Sequence, residues 1–206
     1  MNHYPIKQPA MNTGYGRAYW GPRLWYLLHK ISYSYPERAN LSEQQFYYNY
    51  FNLTKMMIPC PFCSNHYNNA IQTKLLDRNL NTRQEVIDWF RNQHNDVNIG
   101  NNRRIYQGFE VDYLYNGVEF NHEYFFELLD YLYRLVVVSK EINRVSFIRW
   151  ILFTYKIHPC VHCRISSERF LLKNNIEKLK YSDNNVLKNW LTGLKSSGGQ
   201  YSNIIH

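Results

Sequence analysis

Thr54-Lys55-Met56-Met57-Ile58-Pro59-Cys60-Pro61-Phe62-Cys63-Ser64-Asn65-His66-Tyr67 sets the frame for the whole chain. Pro59 ends one helix, and two cysteines a helical turn apart open the next. The same order returns one hundred residues later as Thr154-x4-Pro159-Cys160-x-x-Cys163. Two further echoes are shifted by 101. Trp89 returns as Trp190, and Trp25-x-x-Leu28-His29 has a shadow in Phe126-x-x-Leu129-Asp130. Self-similarity at a fixed offset marks a repeated unit. The second half therefore reads as a degenerate copy of the first.

Helical periodicity extends on both sides of the first cysteine pair. From Gly21, with Pro22 suited to a first turn, Leu24, Leu28, Ile31 and Tyr35 share one face and Pro36 stops the helix. Ser42-x-x-Gln45 is a capping-box pattern for a second helix towards Met57, and Thr82-x-x-Glu85 is another for a fourth through Trp89 and His94. The third runs from the cysteines to about Leu76. Four short helices with short connections form a small bundle. Between Arg103 and Phe120 the text alternates, and Asn116-Gly117 is a hairpin-turn signal, so a two-stranded β-ribbon is predicted there. The expected organisation is a loose arm over 1–18, a helical domain over 19–103, a β-ribbon linker over 104–120, a second helical unit over 121–195 and a loose tail over 196–206. The fold class is mainly α.

Composition narrows the function. The chain has 206 residues, 45% of them hydrophobic and 17% aromatic, which excludes wholesale disorder. No apolar run approaches the roughly 20 residues of a membrane span. Neither a secretory signal nor a transit peptide is read at the N-terminus. The net charge of +8 comes from scattered Lys and Arg, so no specific nucleic-acid partner is expected. Only four Ala occur (Ala10, Ala18, Ala39, Ala70) among abundant Asn, Lys, Ile and Tyr, which reads as AT-rich coding.

A C-x-x-C pair is either a redox dithiol or half of a zinc site. A helix N-terminus favours the thiolate, and Cys60 stands at such a position. A thioredoxin-like fold needs a βαβ context, which is missing. A closed zinc site needs four ligands. His66 and His162 each lie close to one pair, but neither local set has an evident fourth ligand, so no metal site is assigned.

The ordered set Trp20-Gly21-Pro22-x-x-Trp25-x-x-Leu28-His29, Tyr35-Pro36, Cys60-Pro61-Phe62-Cys63-x-x-His66-Tyr67, Trp89 and His94-Asn95-Asp96-Val97-Asn98 resembles the Erv/ALR family of FAD-linked sulfhydryl oxidases. The likeness covers about residues 19–105. It implies a four-helix FAD-binding bundle in which Cys63 is the flavin-proximal sulfur and Cys60 the distal, exchanging one. It also implies that Gly21, Pro22, Trp25, His29, His66, His94, Asn95, Val97 and Asn98 contact FAD. Where the family continues Asn-x-x-Leu-x-Lys-Pro, this chain has Ile99-Gly100-Asn101-Asn102-Arg103-Arg104. Arg103 takes the place of the Lys as a cation for an FAD phosphate.

The activity so implied is disulfide formation in substrate proteins. Electrons pass from dithiols through the C-x-x-C pair to FAD and then to oxygen, giving hydrogen peroxide. The partners are protein dithiols, thioredoxin-like or virion proteins among them, and molecular oxygen, with a homodimer left open. The resemblance together with the coding bias points to a viral enzyme acting in host cytoplasm or virion. The second half keeps its cysteines but has Asp130 in place of His29, so a second FAD site is not expected. Cys160 and Cys163 are expected as a second disulfide, either a structural staple or an electron shuttle, with the structural role favoured. The second unit is expected to pack where a homodimer partner sits in simpler relatives. The competing function is a non-enzymatic cysteine- or zinc-bearing structural protein.

Overall fold

The computed structural model describes residues 16–179 and 182–199, and over them the chain forms nine α-helices. These are α1 (Arg17–Tyr33), α2 (Leu41–Thr54), α3 (Pro61–Thr73), α4 (Arg83–Gly100), α5 (Gly108–Tyr115), α6 (His122–Arg134), α7 (Arg144–Lys156), α8 (Val161–Lys173) and α9 (Asn184–Gly199). None is long and apolar enough to cross a membrane. Residues 1–15 and 200–206, most of the expected arm and tail, lie outside the described residues. Arg17 and Ala18 are helical, and α9 continues through Ser196 to Gly199.

Local chemistry explains most helix ends. Asn40 caps α2: its side chain accepts from the Glu43 N–H at 3.0 Å while Glu43 accepts from the Asn40 N–H at 2.8 Å. This capping box lies two residues before the predicted Ser42–Gln45 pair, because Asn40 leaves the helix in extended geometry and offers a short amide acceptor. The predicted Thr82–Glu85 box opens α4. α1 starts at Arg17, ahead of the predicted Gly21, so Pro22 lies inside the helix instead of in its first turn. Pro22 and Ala18 are both exposed, so the carbonyl one turn back that loses its N–H partner faces water.

The predicted β-ribbon is replaced by a helix. Among the described residues no strand forms, and an isolated antiparallel bridge joins Arg38 to Thr82. Over 108–115 the apolar residues satisfy an i, i+4 spacing as well as an alternating one, and Val111 and Tyr115 turn inward together on α5. Glu110 accepts from the Gln107 N–H at 2.8 Å and caps the first turn. Asn116-Gly117, with Gly117 at φ +68°, ends the helix instead of closing a hairpin. Buried Lys30 of α1 donates to the Tyr115 and Val118 carbonyls and pins this end, placing a cation at the helix C-terminus.

The two halves share one core. α1 packs against α4 and α6, and α2 packs against α7. At the α2–α7 seam the Trp150 indole N–H donates to Thr54 Oγ1 at 3.0 Å, and the Thr154 hydroxyl reaches the Tyr50 hydroxyl at 3.4 Å. Residue 54 meets 150 and residue 50 meets 154, as in a two-fold interface. The α1–α6 seam repeats the device. Arg23 pairs with Glu127 through Nε at 2.8 Å, and Tyr26 meets Tyr124 edge-on at 5.4 Å. Trp89 and Trp190 each donate their indole N–H to the carbonyl fifteen or sixteen residues back, Lys74 at 3.1 Å and Asn174 at 3.0 Å.

Tyr50, Thr54, Trp150 and Thr154 are fully buried. Removing the acceptor at 54 leaves the Trp150 N–H unpaired away from water. Thr54→Val, which preserves shape, is expected to cost about 1–3 kcal/mol. Chemical denaturation should show the loss as a lower midpoint at unchanged slope, whereas exposed Thr73→Val should leave the midpoint within about 0.5 kcal/mol of the parent.

Candidate functional site

The first cysteine pair forms a disulfide, Cys60–Cys63, with Cα atoms 5.2 Å apart. Cys60 is the N-cap of α3, and its Sγ accepts from the Cys63 N–H at 3.2 Å. Pro61 occupies the first helical position, where a missing N–H costs nothing. The preceding turn, Lys55–Met57, is tied to α3 twice. The Ser64 hydroxyl donates to the Lys55 carbonyl at 2.8 Å, and Lys55 Nζ donates to Asn68 at 3.0 Å. Both sulfurs are half-buried, and Phe62 between them is 72% exposed, so the bridge stands at the surface on a rigid base.

A cleft of about 220 Å³ opens between α1, α4 and α5. His29 comes from α1; Arg91, His94, Asn95 and Asn98 come from α4; Val111, Leu114 and Tyr115 come from α5; and Arg103, Arg104 and Tyr106 come from the loop before it. The α4 residues are spaced three and four apart and so share one face. Trp25, one turn before His29, stacks on His94 with centroids 4.3 Å apart and planes within 4°. His29 Nε2 and His94 Nδ1 lie 3.0 Å apart in a hydrogen bond, and Tyr115 stacks on the other side of His29 at 4.7 Å.

Burial keeps this histidine pair neutral. The His29 pKa is lowered to about 3 by desolvation and then by His94. The His94 pKa is lowered to about 4 by desolvation and then by the nearby Arg103 charge. The pair shares one hydrogen bond, and His29 Nδ1 is left buried with no partner. Arg104 pairs with Glu110, while Arg103, with its backbone N–H on the Asn98 carbonyl at 2.7 Å, stays exposed at the rim.

The residues singled out in the sequence separate into three groups. Trp25, His29, His94, Asn95, Asn98 and Arg103 come together at the cleft. Asn95 is already occupied: its amide donates to the Tyr106 carbonyl at 2.8 Å and accepts from the Tyr106 N–H at 2.9 Å, holding the 101–107 loop against α4. Val97 does not line the cleft; its carbonyl accepts from Asn101 at the end of α4. His66 is exposed on α3, and Gly21 and Pro22 lie on α1 outside the cleft lining. Reading the sequence missed Tyr115, Tyr106 and Arg91. Tyr115 was hidden because its segment alternates like a strand, and Arg91 by its position one turn before His94 among ordinary helical charges. Cys160 and Cys163, expected as a second disulfide, stand as free thiols in this structure. Burial and the neighbouring Cys160 push the Cys163 thiol well above its ordinary range.

The cleft's donor set fits an aromatic, phosphate-bearing cofactor. It offers flat ring faces, an unpartnered buried ring nitrogen and two rim arginines. A larger hollow of about 490 Å³ beside α4 is lined by Lys74, Glu85, Asp88, Trp89 and Asp96, with Lys74 paired to Asp96.

Residues 22–114 match the Erv1 / Alr family. A protein of Invertebrate iridescent virus 3 whose name carries the words FAD-linked sulfhydryl oxidase, 096R, is 30% identical over 84 residues, 41% of this chain and 57% of its own length. One of Acanthamoeba polyphaga mimivirus with the same words in its name, R368, is 29% identical over 80 residues, 38% of this chain and 56% of its own. The chain thus spans a little over half the length of these relatives, and no solved structure matches it. The segment similar to the Erv1 / Alr family runs from the second turn of α1 to the last turn of α5, and so takes in the disulfide and every cleft residue but Tyr115.

Proposed function

We propose that the protein is an FAD-dependent sulfhydryl oxidase that makes disulfide bonds in substrate proteins. The observation that carries this reading is the Cys60–Cys63 disulfide at the N-terminus of α3, within the segment that matches the Erv1 / Alr family, and two viral relatives carry that activity in their names. A substrate thiolate attacks Cys60 Sγ, the S–S bond breaks, and Cys63 departs as a thiolate. The second substrate thiolate then attacks the substrate sulfur of the mixed disulfide, releasing Cys60. Two electrons now rest on Cys60 and Cys63, and the substrate leaves with a disulfide. The α3 N-terminus lowers the cost of negative sulfur at both stages.

FAD, when bound, supplies a two-electron acceptor and a route to molecular oxygen, with hydrogen peroxide as product. Trp25, His29, His94 and Tyr115 would hold its flat rings. Arg103 would meet phosphate as an exposed cation, and Asn95 would act indirectly by fixing the loop that carries Arg103. His29 Nδ1 would gain the partner that it lacks. The viral relatives support a viral setting for the same chemistry.

We further infer that residues 121–195 are a degenerate second copy, seated on α1 and α2 where a second subunit would otherwise pack. The crossed pairs 54–150 with 50–154, and 23–127 with 26–124, support this reading. Sedimentation should show a monomer, and a dimer joined through α1 and α2 would contradict the inference.

Two outcomes test the oxidase. The purified full chain supplied with FAD should be yellow and should consume oxygen with dithiothreitol. Cys63→Ala should lower turnover on the order of 10³-fold or more while retaining flavin. A folded, colourless protein that retains no FAD would overturn the reading.

The second outcome is a pH dependence. Folded His29 and His94 titrate near 3 and 4, against an unfolded value of about 6.5, so the unfolded chain binds more protons between these limits. Stability from the pair is complete above about pH 6.5 and drains away as pH falls towards 4. Thermal midpoints measured from pH 7.5 to 5 should therefore fall, and His94→Gln should flatten the slope.

A further inference from the structure

Away from the cleft, α6 and α8 bring together three side chains that the flavin chemistry leaves unused. His122 opens α6, Cys160 caps α8, and Cys163 lies in its first turn. One ligand atom from each lies within 4.8 Å of the other two. Cys163 Sγ is 3.7 Å from His122 Nδ1 and 3.9 Å from Nε2. A tetrahedral metal with sulfur at about 2.3 Å and nitrogen at about 2.0 Å sets such atoms roughly 3.5 Å apart. Closing the widest separation to this value needs a side-chain shift of about 1 Å.

We propose that His122, Cys160 and Cys163 form a binding site for a thiophilic divalent metal of the zinc class, with water as the fourth ligand. Two sulfurs and an imidazole select against calcium and magnesium, which take oxygen ligands. Three protein ligands with an open fourth position is a recurrent zinc arrangement. Binding displaces the protons of both thiols, so no oxidant or reductant is involved.

The surroundings are built to support it. The Cys163 N–H points at Cys160 Sγ at 3.4 Å, a backbone donor for a ligating sulfur. The Cys160 N–H donates to His158 Nδ1 at 3.1 Å, and the His158 ring lies parallel to His122 at 5.9 Å, fixing the plane of approach. Outer contacts of this kind orient metal ligands. The Tyr155 ring stacks on His158 at 5.7 Å, and its buried hydroxyl has no protein partner, which a metal-bound water would supply. The metal would replace one existing contact, the Cys163 S–H on the Gly198 carbonyl at 3.5 Å. His162, adjacent in sequence, is exposed on α8; the histidine at the thiols is His122, from another helix.

The proposal is independent of the oxidase reading, because its readout is bound metal. The full chain, purified under reductant after growth with zinc and then buffer-exchanged, should carry about one zinc per chain by elemental mass spectrometry. Cobalt substitution should add a thiolate-to-metal absorption band. His122→Ala and the double variant Cys160→Ser/Cys163→Ser should each fall below about a tenth of an equivalent. Cys60→Ala should keep the metal, excluding the first pair. If the double variant fails to fold, the His122→Ala content and the cobalt spectrum of the parent decide. A reduced, folded parent without stoichiometric metal would overturn the proposal. So would equal metal loss from Cys60→Ala, or a Cys160–Cys163 disulfide in protein purified without air.

Discussion

The buried crossing of α2 and α7 governs where the chemistry can sit. Thr54 and Thr154 each lie six residues before the first cysteine of a pair, and each is held against the opposite helix. In a dry seam an unpaired indole or hydroxyl is costly, so the register tolerates no slip of a turn. Fixing Thr54 fixes the turn at Lys55–Met57, which Ser64 and Lys55 then clamp to α3. The surface disulfide thus rests on a base set from the middle of the molecule. The same seam places Cys160 at the start of α8.

The two cysteine pairs share one local design and differ in surroundings. Each first cysteine caps its helix, and each second cysteine points its N–H at the first sulfur. The first pair is half-buried beside an exposed Phe62, which suits exchange with an incoming thiol. In the second, Cys163 is 2% exposed and faces an imidazole. Cys160 is half-buried as Cys60 is, so the pairs differ at the second sulfur, whose burial beside an imidazole suits soft ligation.

The cleft shows how neutral histidines are obtained at a basic protein's surface. His29 and His94 bury each other, share one hydrogen bond and sit between Trp25 and Tyr115. Nearby Arg103 raises the cost of a proton further. What results is a flat, uncharged wall with a cationic rim. Closing the wall requires α5, a helix of only eight residues held by Lys30 and Glu110.

The sequence by itself determined the helical class, the Thr82–Glu85 cap, the two cysteine pairs at helix starts and the ordered Trp25, His29, His94 and Asn98 motif. These are carried by spacing and capping within a few residues, which short-range sterics and hydrogen bonds enforce. It misjudged 108–117, where alternation and helical spacing fit the same few residues and only packing of Val111 and Tyr115 against the rest of the cleft chooses between them. Tertiary structure alone decided that His66 stays outside, that Tyr115 closes the cleft, and that His122 reaches Cys163 from 41 positions away. Such meetings depend on which helix faces are buried against each other, and that choice is made by the shared core as a whole.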